Sequence, residues 1–331
     1  QDIAQWSIND KRVSFTKPLS YIKKPCNEFI SFGDQMVLSP EHRVLGLFNG
    51  KLEVRSALEI HQGEKPLILR SFFAPKNVEG MPFSDIELRI MIAYIADGTI
   101  VDRSYGREVL VRLKQADKIC RMRRLLEASN IDFREQTYAS DGKTSFIFKP
   151  LLDIKEFTPD FYKASEHQLQ VICDEVWRWD GRKKEGRHNS WEFSTMIKAS
   201  ADFIQYAFSA LNYPASILKS VKTYKYVAKK PRSRSIGEPT TMYIVAASMF
   251  NGKAYKPAAS NFVNASDGFK YCFEVPDTFW IMRRGDVVTV TGNTGKTLSA
   301  LWAADFLMLN GKIKKVLVSS PLSTIKSVWG N

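Results

Sequence analysis

Four cysteines in 331 residues, Cys26, Cys120, Cys173 and Cys272, stand too far apart to form a C-x-x-C pair. Neither a zinc site nor a disulfide framework is indicated, and a reducing compartment is expected. No apolar run approaches the roughly 18 residues that cross a bilayer. The opening QDIAQWSIND also lacks the charged-then-apolar order of a signal peptide. These absences predict a cytoplasmic protein with no membrane partner. Acidic residues are in deficit, 35 Asp and Glu against 48 Lys and Arg, for a net charge of +13. With aromatics spread among the basic residues, that excess favours a polyanionic partner through phosphate neutralisation; a merely soluble basic protein is the alternative. The length suits two or three units of the usual ~100 to 200 residues. Because the chain starts at Gln1 without methionine and stops at Asn331 in mid-pattern, both ends are expected to be fragment boundaries.

The first 80 or so residues carry short apolar runs separated by turn signals. FISFGDQMVLSPEHRVLGLFNGKLEVRSA predicts several strands, with Gly33-Asp34 and Asn49-Gly50 as hairpin turns. From Ser84 the apolar period becomes helical in IELRIMIAYIADG, with Asp85 as a cap-region acid. A strand at REVLVRLKQ, a helix at DKICRMRRLLEASN and strands around DFREQTYAS and KTSFIFKP follow, the last two joined by Asp141-Gly142. The order then recurs without sequence identity: a helix at SEHQLQVICDEVWRWDG, another at STMIKASADFIQYAFSALN, and paired strands at TYKYVAKK and TMYIVAASMF. From about Lys256 the chain is β again through GFKYCFEVPDTFWIMRRGDVVTVTGN. One β domain interrupted by an α/β insertion is expected, an arrangement tolerated at exposed loops.

The two helices that open the half-repeats end IAYIADG and CDEVWRWDG. An Asp-Gly helix end alone is an ordinary turn signal, but two in register, each followed by basic strands, resemble the paired motifs of LAGLIDADG homing endonucleases. The resemblance implies a monomer with internal pseudo-symmetry that cuts both strands of double-stranded DNA. Its implied catalytic and metal-binding residues are Asp97 and Asp180, holding Mg²⁺ that orients water and stabilises developing charge. Lys114 and Lys225 are candidate charge-stabilisers. Ala93 and Ala96 supply small residues for helix packing in the first motif, whereas the second has Trp177 and Trp179, a departure that touches alignment. Alternating Arg and Lys in REVLVRLKQ and TYKYVAKKPRSR suit phosphate contact and base reading.

LSPEHRV places Ser39 three positions before His42, and the last β stretch runs to Asn293. Taken alone, such a histidine reads more readily as a surface or hydrogen-bonded structural residue. Together the two segments resemble the histidine motif and the last two motifs of inteins, protein-splicing elements with a horseshoe-shaped all-β Hint domain. The resemblance implies that Ser39 and His42 polarise a junction peptide bond and that Cys272 assists. It further implies that Asn293 cyclises to cut the bond to Thr294, whose hydroxyl accepts the upstream acyl group, with no external cofactor. Gly292 stands where a penultimate histidine is frequent, so assistance must come from elsewhere. An alternative class with a motif cysteine as first nucleophile has Trp where this chain has Val44, which favours the standard route. The family's first motif would precede Gln1.

Thr294-Gly295-Lys296-Thr297, with the segment to PLSTIKSVW, resembles the opening of a helicase-type ATPase. There Gly295, Lys296 and Thr297 would contact ATP phosphates and Mg²⁺. The P-loop glycine five positions before Gly295 is missing, since that position is Val290. Excision of the intein would supply it from upstream. The expected fold is therefore mixed: an all-β Hint domain in 1–81 and 257–293, an α/β pseudo-two-fold endonuclease in 82–256, and the start of a P-loop α/β domain in 294–331. A helicase with a noncatalytic DNA-binding insertion is the alternative.

Overall fold

In the computed structural model, residues 2–33, 35–64, 66–183, 190–222, 240–248, 254–292 and 312 are described. Through Leu69 the turn-punctuated apolar runs form β1 (Ile3–Trp6), β2 (Val13–Thr16), β3 (Ser20–Pro25), β4 (Glu28–Phe32), β5 (Met36–Leu38), β6 (Arg43–Phe48) and β7 (Lys51–Ser56). A short helix, α1 (Ala57–His61), and β8 (Leu67–Leu69) complete this part. Ile30, Phe32, Met36, Leu38, Val44 and Phe48 point inward and close a small core with Ala57, Ile60 and Ile68. The β6–β7 hairpin turns at Asn49 and Gly50, both at positive φ (49° and 80°), with Phe48 opposite Lys51. A two-residue turn of this handedness matches strand twist and favours Asn-Gly.

The middle of the chain builds one unit twice. The first copy runs α2 (Asp85–Asp97), β9 (Gly98–Arg103), β10 (Gly106–Leu113), α3 (Ala116–Glu127), β11 (Phe133–Tyr138) and β12 (Lys143–Phe148). After a 3₁₀ turn at Pro159–Lys163, the second runs α4 (Glu166–Trp179), β13 (Gly181–Lys183), β14 (Ser190–Thr195), α5 (Lys198–Ala210), β15 (Ala215–Lys222) and β16 (Thr240–Ser248). The strand order is the same in each, β11-β12-β10-β9 against β15-β16-β14-β13.

Both leading helices start with a serine capping box, Ser84 with Glu87 and Ser165 with Gln168. Two orphan N–H groups are satisfied reciprocally at each start. Ser84 is thus the cap, and Asp85 is the first helical residue; its carboxylate meets His167 Nε2 of α4 at 2.9 Å. Leu88, Ile90, Met91, Ile92, Ala93 and Tyr94 are all buried, so α2 is apolar almost all round and lies inside the core.

Two described strands are not assigned from the sequence. GTIVDR forms β9 and SWEFST forms β14, of which the sequence assigns only Ser194 and Thr195, to the following helix. Trp191 and Phe193 alternate in β14, and α5 accordingly begins at Lys198 rather than Ser194. β16 lies between β14 and β15, and Ala215 and Ile217 of β15 are buried; TYKYVAKK, expected to pair with TMYIVAASMF, lies outside the described residues.

The closing strands β17 (Ala254–Tyr255), β18 (Ser260–Asn264), β19 (Phe269–Glu274), β20 (Phe279–Arg284) and β21 (Val287–Gly292) return to the opening ones. β17 pairs with β8, β18 with β4, β19 with β3 and β20 with β1. The architecture is mixed and strand-rich, and no described helix is long and apolar enough to cross a membrane. β21 also touches the second repeat. Ser216 pairs with Val287, and Gln205 Nε2 donates to the Ala215 and Asp286 carbonyls at 3.1 and 2.8 Å. One eight-stranded sheet therefore runs through both parts.

Candidate functional site

Asp97 is the last residue of α2 and Asp180 caps the C-terminus of α4. In each copy the following glycine lets the chain leave the helix at once. A Cβ on Gly98 would lie 2.7 Å from the Tyr94 carbonyl oxygen, and one on Gly181 2.6 Å from the Trp177 Cα, in both cases the residue four positions earlier. The Asp-Gly ends are thus steric requirements of the helix-to-strand exit, and they aim the two acids alike. α2 and α4 pack side by side, their first turns joined by the Asp85–His167 contact.

At the acidic end, Lys118 Nζ donates to Asp97 Oδ2 at 2.6 Å and to the Trp179 carbonyl at 2.8 Å, tying the two helix ends together. Lys155 Nζ donates to the Tyr94 and Ile95 carbonyls at 2.9 and 2.6 Å, capping α2 where its dipole is negative. Burial raises the Asp180 pKa, and the charge of Asp97 adds to the shift, while Lys118 and Lys155 oppose it. Burial lowers that of Lys155, against both carboxylates. Asp180 lines an apolar cavity of about 10 Å³ with Ile92, Ala96, Val176 and Phe193, which accounts for its desolvation.

Neither lysine was singled out from the sequence. Lys114 is exposed just past β10, and Lys225 lies outside the described residues. The signal for Lys118 was faint: a basic residue in the first turn of a helix whose amphipathic face packs on α2 and α4.

The tryptophans do not obstruct the helix pair. Trp177 turns away, its ring 4.7 Å from those of both Trp191 and Phe208. Trp179 is buried and its Nε1 donates to Glu175 at 2.7 Å. Glu175, wholly buried, also accepts from Arg89 of α2 at 2.9 Å and Arg121 of α3 at 2.6 Å. Burial pushes its pKa up, but the Arg121, Arg89 and Trp179 hydrogen bonds outweigh that and leave it lowered. Beside this network opens a cleft of about 770 Å³ whose charged lining is Lys118, Arg121, Arg124 and Arg178 against Asp117.

On the sheet of the first copy Val109, Val111 and Leu113 are buried, leaving Arg112 on the open face. Its basic residues are braced by acids: Arg112 by Asp141 at 3.1 Å, Arg103 by Glu108 at 3.4 Å, and Arg134 by the same Glu108. Among the described residues no group of three or more His, Cys, Asp or Glu is placed to hold a metal ion. A pair of carboxylates completed by substrate phosphates is, however, a usual donor set for Mg²⁺, and Asp97 and Asp180 fit it.

A second cluster forms where the histidine segment meets β21. His42 Nε2 lies 2.7 Å from Thr291 Oγ1, both side chains being buried. Burial holds the His42 pKa down at about 4, Glu41 opposing and Lys270 and Arg43 adding. Ser39 Oγ donates to Glu41 Oε1 at 2.9 Å, and Glu41 is ion-paired with Lys270 of β19. Cys272, two residues along β19 on the same face as Lys270, is buried opposite Ile22 of β3. Asn293, Thr294, Gly295, Lys296 and Thr297 lie outside the described residues.

No protein-family model matches the chain. The ribonucleoside-diphosphate reductase subunit beta of Aquifex aeolicus (strain VF5) is 24% identical over 345 residues, covering 89% of this chain and 47% of that protein. The chain thus spans about half the length of the curated relative it matches. Among solved structures, mesophilic variants of the homing endonuclease I-DmoI align at TM-score 0.34 and 11% identity, over 50% of this chain and 89% of theirs. I-DmoI in complex with DNA and Mn aligns at 0.32 and 10%, over 50% and 90%. The N-terminal LAGLIDADG domain of DUF199/WhiA aligns at 0.31 and 11%, over 50% and 79%.

Proposed function

We propose that residues 82–256 form a site-specific endonuclease for double-stranded DNA. It would be nested in a protein-splicing domain made of 1–81 and 257–293, with 294–331 opening a helicase-type ATPase. One observation carries the endonuclease reading: two capped helices, each leading an identical αββαββ unit, end on acids close enough to perturb one another, with Lys118 and Lys155 beside them. Asp97 and Asp180 would hold Mg²⁺, which would supply Lewis-acid stabilisation of developing charge and a water of lowered pKa. Lys118 holds the Asp97 carboxylate in place. The braced arginines of the first sheet, held as forks by Glu108 and Asp141, suit guanine edges and phosphates with little rotamer entropy left to lose.

The splicing reading is supported by the meeting of His42 with β21 two residues before Asn293. The ATPase reading, with ATP and Mg²⁺ at Gly295, Lys296 and Thr297 after splicing, is supported by the sequence alone. To test the endonuclease, the whole chain is incubated with a randomised duplex library and Mg²⁺, and the new ends are sequenced. Recovery of one recurring cut site is expected, and a library left intact sinks the reading.

A further inference from the structure

Position 292 has no room for a side chain. A Cβ on Gly292 would stand 2.7 Å from the Arg43 carbonyl oxygen, 3.2 Å from Arg43 Cβ and 3.3 Å from Phe279 Cε1. The nearest atom is backbone, so β6 itself would have to shift. The imidazole frequent at the penultimate position of inteins is therefore sterically excluded here.

What stands beside that position is the His42–Thr291 pair, with 2.7 Å between Nε2 and Oγ1. Both partners are fixed. Thr291, 1% exposed, is held opposite Trp280 in the β20–β21 ladder. His42, 7% exposed, accepts at its carbonyl from Ala57 N–H and donates its own N–H to the Ser39 carbonyl, each at 2.9 Å. Kept neutral by burial, the ring has one donor and one acceptor nitrogen, while the threonine hydroxyl can serve as either. The hydroxyl therefore holds the ring's orientation in either tautomer.

We infer that Thr291 is a positioning residue for cleavage at the downstream junction, orienting His42 to do the work that a side chain at 292 cannot; this rests on the splicing reading. In that cleavage the Asn293 side-chain nitrogen bonds to the Asn293 main-chain carbonyl carbon and the bond from that carbon to the Thr294 nitrogen breaks. One proton leaves the side-chain amide and one arrives on the Thr294 amine, so the step balances without an added reagent.

The test follows this chain by intact-mass spectrometry for release of 294–331, with melting temperatures recorded for each variant. The unaltered chain is expected to release the segment and Asn293→Ala to retain it. Thr291→Val should slow release about tenfold, the worth of one lost hydrogen bond, and Thr291→Ser should restore it. If Thr291→Val does not fold, Thr291→Ala against Thr291→Ser isolates the hydroxyl in the same way. Release from a folded Thr291→Val at the unaltered rate, with Asn293→Ala inert, overturns the inference and leaves splicing standing. Equal slowing in Val and Ser variants assigns the effect to packing and also overturns it. An unaltered chain that never releases the segment removes the splicing reading and the inference together.

Discussion

Asp97 and Asp180 close two adjacent helices at matching positions, and the negative charge of the first helps raise the pKa of the second from its ordinary value. Burial is the larger cause and the neighbouring charge the next. Asp97→Asn removes only the charge, so the Asp180 pKa is expected to fall, though not to the ordinary value, as read by carboxyl-carbon NMR titration without metal. An unchanged pKa would mean that the two acids are not coupled.

Glu175 joins three helices through Arg89, Arg121 and Trp179. Glu175→Leu strands two partly buried guanidinium groups and should cost about 3 to 5 kcal/mol in denaturant unfolding. Glu175→Gln, which keeps hydrogen-bonding capacity, should cost less. Equal and negligible losses would show the network to be marginal.

The glycines after the acids admit no Cβ without displacing the preceding helical turn. Gly98→Ala and Gly181→Ala are each expected to destabilise by about 1 to 3 kcal/mol, as overpacking does. Gly142→Ala meets open space, so any loss there reflects only its positive φ of 65°. The Gly98 and Gly181 variants should in addition disturb DNA cutting, because the clash falls on the helix ends that carry the acids; the Gly142 variant should not.

His42 sets a pH dependence whose sign follows from burial. Its folded pKa of about 4 lies below the unfolded 6.5. Its contribution is therefore complete above pH 6.5 and is lost as pH falls through 6.5 toward 4. At 1.36 kcal/mol per unit the loss is about 3 kcal/mol. His42→Gln, which cannot charge, should flatten that part of the stability curve relative to the unaltered protein, measured by denaturant unfolding from pH 7.5 to 4. Parallel curves would place the titration elsewhere.

Much of this was legible locally. Asn49-Gly50, the helical period after Ser84 and the two Asp-Gly ends are short-range signals, and each stands where its chemistry requires. The strands β9 and β14 were not legible: GTIVDR follows a helix with no turn residue except its own Gly98, and SWEFST adjoins a helical pattern. The cations at the acid pair were also hidden. Lys118 and Lys155 lie 21 and 58 residues after Asp97, and only the packing of α3 and the Leu152–Lys155 segment on α2 brings them there. Glu175 reads in sequence as an ordinary helix-surface acid, since its two arginine partners lie 86 and 54 residues away.

The paired acids are tested most directly by single-turnover cleavage of the duplex recovered from the library, comparing the unaltered chain with Asp97→Asn and Asp180→Asn in Mg²⁺. Loss of double-strand cutting in both variants, with duplex affinity and melting temperature retained, is the expected result. Cutting at the unaltered rate by either folded variant would contradict a centre built from the two helix ends.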